Sequence, residues 1–123
     1  MIADTSVWID HFLGKPGDDL DLFRAALNEG RIVMAPAVLS ELLSSTEMTS
    51  DIEKALSEMP FAPPSSGYWR DTGKLRRHLA KQSTNASLAD CLVVQSCLEQ
   101  DLPLLTRDKG IKKFAVKAGL SLV

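Results

Sequence analysis

Two cysteines, two histidines and one tyrosine are all that 123 residues hold of those types, and each scarcity closes off a class of protein. Cys91 and Cys97, if one helix carries both, stand about 9 Å apart along its axis. That separation is beyond disulfide reach, so two free thiols in a reducing compartment are expected. Neither cysteine has metal-ligand spacing, and small core residue is the expected role of both. His11 and His78 read as ordinary surface or boundary residues. No apolar run approaches the ~20 residues that a membrane helix needs. Met1 is followed within three residues by an acid, Asp4, which is not how a secretory leader begins. A cytoplasmic protein without membrane contact is expected. Net charge is −2, so no overall basic excess points to a nucleic-acid partner. Repeats, low-complexity tracts and linkers are also missing. One domain over residues 1–123 is expected, and a chain of this size buries roughly two-thirds of its unfolded surface. Apolar content of 45% and charged content of 24% are ordinary for a globular chain.

The charge is unevenly placed. Ten of the fourteen Lys and Arg lie in two segments. Arg70, Lys74, Arg76, Arg77 and Lys81 form one; Arg107, Lys109, Lys112, Lys113 and Lys117 form the other. Two solvated helix faces would explain this, and so would a footprint for a phosphate backbone. Within that footprint Arg76, Arg77, Arg107, Lys109 and Lys112 are the candidate backbone contacts. Trp8 and Trp69 have the chemistry to stack on bases, although core or interface packing is the expectation for both.

Short apolar strands alternate with helices along the chain. Met1-Ile2-Ala3 is a strand, and a helix from Ser6 to about Leu13 follows. Asp18 or Asp19 caps a second helix that Gly30 stops. Ile32-Val33-Met34 is a strand, and Pro36 opens a helix to about Ser45. Ser50 and Glu53 have capping-box spacing for a helix from Asp51 to about Glu58. Pro60, Pro63 and Pro64 leave room only for a short edge strand. A fifth helix spans Tyr68 to Lys81, and a sixth runs from Ser87 to near Gln100. Pro103 to Thr106 is a strand, Asp108 caps a last helix, and Leu120 to Val123 closes as a strand. This alternation predicts an α/β fold with a parallel sheet covered on both faces.

Four acids stand in unexpected places. Asp4 and Asp108 each follow a strand and precede a helix, where an N-cap is the simplest reading. Glu41 lies just outside an apolar helical arc, where a solvated residue is ordinary. Asp90 sits in a helix that is apolar on every side, which predicts burial. Its capping-box spacing from Ser87 and its first-turn position explain part of its presence. A buried carboxylate must still be paired or hold a metal. Acids at carboxyl ends of neighbouring strands face the crevice where open α/β sheets bind ligands. Four converging carboxylates would repel one another unless a cation balanced them. Oxygen-only ligands suit Mg²⁺ or Mn²⁺ rather than zinc. The chemistry such a site supports is phosphodiester hydrolysis.

These acids in this order resemble the PIN-domain ribonucleases, and more narrowly the VapC-type toxins of toxin–antitoxin pairs. The resemblance rests on Asp4-Thr5-Ser6-Val7-Trp8, Val38-Leu39-Ser40-Glu41-Leu42, Leu88-Ala89-Asp90-Cys91-Leu92 and Leu104-Leu105-Thr106-Arg107-Asp108. It covers essentially the whole chain. It implies a single PIN-like domain with a five-stranded parallel sheet in the order 3-2-1-4-5, flanked by helices on both faces. It implies metal ligands at Asp4, Glu41, Asp90 and Asp108, with Ser6 and Thr106 orienting them. It further implies a Mg²⁺-dependent endoribonuclease acting on RNA, a cognate antitoxin protein and a homodimer. The first strand is shorter than is usual in the family, and prolines nearly erase the third.

Two rival readings fit less well. A haloacid-dehalogenase-like phosphatase needs a second acid two residues after the first, where this chain has Ser6. A receiver-like phosphoacceptor domain wants adjacent acids at the first strand end and a lysine after the last strand. Here Asp4 is followed by Thr5, and the chain ends at Val123.

Overall fold

The computed structural model describes all residues from Met1 to Val123. Only two segments reach regular strand geometry: β1 (Ile2–Ala3) and β2 (Leu104–Leu105). They pair in parallel, Ile2 with Leu104 and Ala3 with Leu105. Both are fully buried, as expected when helices cover a parallel sheet. Seven helices complete the fold: α1 (Thr5–Phe12), α2 (Asp18–Asn28), α3 (Pro36–Leu43), α4 (Ser50–Ser57), α5 (Tyr68–Lys81), α6 (Leu88–Gln100) and α7 (Lys109–Lys117).

The structure therefore holds two strands where five were expected. The other three segments make single parallel bridges, Ile2 to Val33, Met34 to Phe61 and Leu104 to Leu122. The reason is local. Asp4 turns the chain into α1 immediately after β1. Pro36 opens α3 two residues after Met34, and prolines at 60, 63, 64 and 103 lack the N–H that a ladder needs. Backbone bonds still tie the segments across: Val33 N–H donates to the Met1 carbonyl (2.9 Å) and Ala62 N–H to the Met34 carbonyl (2.9 Å). Stability thus rests on side-chain burial more than on ladder length. One core cluster of 25 buried residues includes Ile2, Phe23, Leu104 and the α6 face of Val93, Val94 and Cys97.

Helix boundaries follow from the caps. The Thr49 hydroxyl accepts from Ile52 N–H, so α4 starts one residue before the box expected at Ser50 and Glu53. The Ser87 hydroxyl accepts from Asp90 N–H and opens α6 as expected. Gly30 and Gly119 take positive φ (71° and 79°) just beyond α2 and α7, a conformation that glycine adopts without steric cost. α6 packs on both α5 and α3, and α1 packs on α2 and α3. Tyr68 anchors α5 on α6 by donating to the Leu92 carbonyl (2.7 Å).

Trp8 is a core residue, packed edge-on against Phe23 (4.9 Å between centroids). Its indole N–H has no acceptor. Trp69, by contrast, is exposed. Cys91 and Cys97 are both free and buried. Burial pushes the Cys97 thiol up to about 12. No helix is long and apolar enough to cross a membrane.

Candidate active site

The strand ends place the acids. Asp4 follows β1 directly and is the N-cap of α1. Both readings of this residue therefore hold at one position, a helix cap and a carboxylate at a strand end. Its Oδ1 accepts from the Ser6 hydroxyl (2.6 Å) and from Val7 N–H (3.3 Å). Its Oδ2 accepts from the Thr106 hydroxyl, just past β2. The same Thr106 oxygen accepts from Asp108 N–H (3.0 Å), and the Ser6 oxygen accepts from Arg107 N–H (3.2 Å). Two hydroxyls thus lock the end of β1 to the end of β2 and fix the Asp4 rotamer. Asp4 is only 2% exposed. Burial raises its carboxyl above the usual range; the Ser6 and Thr106 hydroxyls and Val7 N–H offset this, and Asp108 adds to the rise.

Glu41 stands on α3 and is exposed. Its Oε1 accepts from the Thr5 hydroxyl (3.0 Å). Asp108 is the N-cap of α7, accepting from Ile111 N–H (3.0 Å), and is also exposed. Asp90 occupies the first turn of α6. It is half-buried rather than fully buried, because its side of α6 opens onto the other acids. Burial raises its carboxyl, Ser87 holds it down, and Asp108, Glu41 and Asp4 each push it further up. All four acids line one cavity of about 120 Å³, with Ser6 at its wall and Val93 and Ile111 as apolar lining.

No lysine or arginine lines that cavity. Arg107 is adjacent to Asp108 in sequence, yet its guanidinium faces elsewhere. It pairs with Asp10 (3.0 Å) and Asp19 (3.0 Å). The sequence placed Arg107 among the phosphate contacts; its charge is instead paired within the fold. No three His, Cys, Asp or Glu side chains form a ready ligand set. Local donors already engage three of the four acids: Ser6 and Thr106 hold Asp4, Thr5 on α1 holds Glu41 across from α3, and Ile111 N–H holds Asp108, while like charges keep the carboxylates apart. The chemistry of the donor set nonetheless fits a hard divalent cation. It offers carboxylate and hydroxyl oxygens and no nitrogen or sulfur ligand.

The remaining sequence candidates are scattered. Arg76 and Arg77 line a separate groove beside α5, and Arg76 Nε donates to the Ala86 carbonyl (3.0 Å). Lys109 and Lys112 are exposed on α7 and line neither the acid cavity nor the groove beside it. Lys113 and Lys117 do line that neighbouring groove; the sequence placed both in the basic segment but chose Lys109 and Lys112 as the contacts. The signal was present: Gly110, Lys113, Phe114 and Lys117 recur at helical spacing after the Asp108 cap. His11 packs against Phe23 and accepts from Arg24 Nε (3.2 Å), away from the acids. His78 is exposed and bonds to Gln82.

The PIN domain profile matches residues 1–117. Solved structures share the fold over nearly the whole chain. FitAcB from Neisseria gonorrhoeae superposes with a TM-score of 0.70 at 15% identity, covering 98% of this chain and 94% of that one. VapBC2 from Rickettsia felis, bound to a DNA fragment from its promoter, gives 0.75 at 19% identity, with 99% and 96% covered. VapBC-5 from Mycobacterium tuberculosis, described as a member of the VapBC family of toxin–antitoxin systems, gives 0.65 at 22% identity, with 99% and 95% covered. No curated protein matches significantly.

Proposed function

The chain belongs to the PIN domain family, and from that premise we propose that it is a Mg²⁺- or Mn²⁺-dependent endoribonuclease acting as a single domain over residues 1–123. Nuclease activity is general in this family. The observation that carries the reading is the cavity in which Asp4, Glu41, Asp90 and Asp108 meet with no lysine or arginine in its lining.

In this reading the four carboxylates hold the metal. A bound divalent cation supplies the Lewis-acid chemistry of phosphodiester hydrolysis. The chain's own residues set the geometry. Ser6 and Thr106 immobilise Asp4 through both oxygens, so the most buried ligand costs little reorganisation. Thr5 steers Glu41. Asp90 brings a carboxylate from α6 to the same rim, and Asp108 stands exposed at the mouth, where substrate enters. Val93 and Ile111 form apolar walls, which strengthen charge interactions beside them. The reaction adds water across a P–O bond and yields one phosphomonoester end and one hydroxyl end.

We further read the three bridged segments as the eroded flanks of a five-stranded sheet in the order 3-2-1-4-5. The similar solved structures described as VapBC and as toxin–antitoxin systems support an antitoxin partner, and a type II toxin role and a homodimer complete the proposal. The experiment is cleavage of a mixed RNA pool by purified protein in Mg²⁺. Wild type is expected to cut, and Asp90→Asn to lose about 100-fold or more in rate, since even loss of an outer-shell partner of a metal ligand costs roughly 10–100-fold. Equal cutting by the two proteins refutes the site.

A further inference from the structure

Three surface cavities form one chain that starts at the acids. The acid cavity shares Asp90, Asp108 and Ile111 with a groove of about 300 Å³. That groove carries Lys113 and Lys117 on its α7 wall and Thr84 and Asn85 on its other wall. Thr84 and Asn85 in turn belong to a third groove, of about 430 Å³, which ends at Arg76 and Arg77. Lys117 Nζ donates to the Thr84 hydroxyl (2.7 Å), which ties α7 to the turn between α5 and α6. The chain has five close ion pairs, made by Lys15, Arg24, Arg31 and Arg107. None involves Lys113, Lys117, Arg76 or Arg77, so four cations stand along the track without an acidic partner.

The other flank of the acid cavity is different in kind. There Thr5 and Glu41 lead into a hollow of about 320 Å³ lined by Ile9, Phe12, Met48 and Ile52, together with Glu47 and no cation. A phosphate backbone is held by Lys and Arg and is repelled by an acid beside apolar walls.

On the basis of the nuclease reading above, we propose that the substrate is a single-stranded RNA segment held on one side of the scissile phosphate only, along the track from Lys113 and Lys117 to Arg77. Asn85, between the two grooves, offers an amide that donates and accepts at a base edge. Sequence-specific RNA recognition takes unstacked bases of single strands, whose edges are free.

Binding is separated from cutting by measuring polarisation of a fluorescent single-stranded RNA oligonucleotide in EDTA, over a range of NaCl concentrations. The Lys113→Gln/Lys117→Gln double variant is expected to lower the slope of log affinity against log salt by about 1.4, and Arg77→Gln by about 0.7, as for loss of two and one phosphate contacts on a single strand. Arg77 is chosen over Arg76 because Arg76 also holds the Ala86 carbonyl. The Lys54→Gln control, charge-matched to Arg77→Gln and exposed on α4 away from all three cavities, is expected to keep the wild-type slope. Unchanged binding by the track variants overturns the track, and so does an equal loss in the control. A duplex of the same length is expected to bind more weakly; equal binding overturns the single-strand assignment. If wild type cuts RNA in Mg²⁺ while the track variants bind normally, the track fails and the nuclease reading stands. If the track variants lose binding while wild type cuts nothing, the nuclease reading fails and the track stands.

Discussion

Replacing Thr106 with valine removes one hydroxyl and almost no volume, yet two bonds depend on that oxygen. It donates to the buried Asp4 Oδ2 and accepts from Asp108 N–H. Thr106 itself is 4% exposed, so water cannot readily replace it. Hydrogen bonds to charged groups contribute roughly 1.5–3 kcal/mol, and an orphaned buried acceptor costs at the upper end. Asp108 N–H lies nearer solvent and adds little. The expected loss for Thr106→Val is about 2 kcal/mol in metal-free buffer, or roughly 8 °C in Tm for a domain of this length. The loss must depend on pH. The Thr106 bond favours ionised Asp4, so its removal raises a folded-state carboxyl already lifted by burial. The native variant then binds more protons than the wild type, and its deficit is full above the raised Asp4 range and shrinks as pH falls through it. Urea unfolding in EDTA at a series of pH values from 4 to 8 reads this directly. Thr106→Ser keeps the hydroxyl and loses a methyl group; its smaller deficit is expected to be constant with pH. A pH-independent deficit in Thr106→Val refutes the role given to the Thr106–Asp4 bond.

Three other outcomes follow from the same geometry. Asp90→Asn is expected to stabilise the metal-free protein at pH 7, because the wild-type carboxyl is raised by burial and by three neighbouring acids. The native state then binds more protons than the unfolded chain, so wild-type stability falls as pH rises above the usual aspartate range, and the pH profile of the variant should be flatter. Arg107→Gln breaks the pairs to Asp10 and Asp19; because solvent screens such pairs, only a small loss of stability by urea unfolding is expected, with RNA affinity unchanged. Both cysteines should resist a thiol-disulfide reagent in the native protein and react on unfolding, since Cys91 and Cys97 are buried and only the thiolate reacts.

How far the sequence disclosed this molecule varies by element. The helix from Tyr68 to Lys81 was readable at both ends, because a long periodic segment declares itself locally. The Ser87 and Asp108 caps were readable for the same reason. The strands were not, since so short a ladder and its single bridges are set by partners about 20 to 100 residues away and leave no local period. Thr49 and Ser50 are adjacent hydroxyl residues, and only the folded backbone decides which one caps α4. At Asp4 the cap and site readings looked like rivals; the structure shows the cap, and because a carboxylate has two oxygens the cap leaves the proposed ligand role open. The acids could be found because a charge in an apolar context is conspicuous. The direction of Arg107 could not, because its partners Asp10 and Asp19 lie in α1 and α2 and nothing near Arg107 in sequence announces them.

The cation site is tested most directly by the effect of Mn²⁺ on the melting temperature of wild type, Asp4→Asn and Asp90→Asn. At 100 times its dissociation constant a ligand adds about 2.7 kcal/mol of stability, roughly 10 °C for a chain of this length. Wild type is expected to rise by that amount at saturating Mn²⁺, and both variants by much less, although Asp90→Asn is at least as stable without metal. A wild-type Tm that ignores Mn²⁺, or an equal rise in all three proteins, would contradict a metal centre built from these four carboxylates.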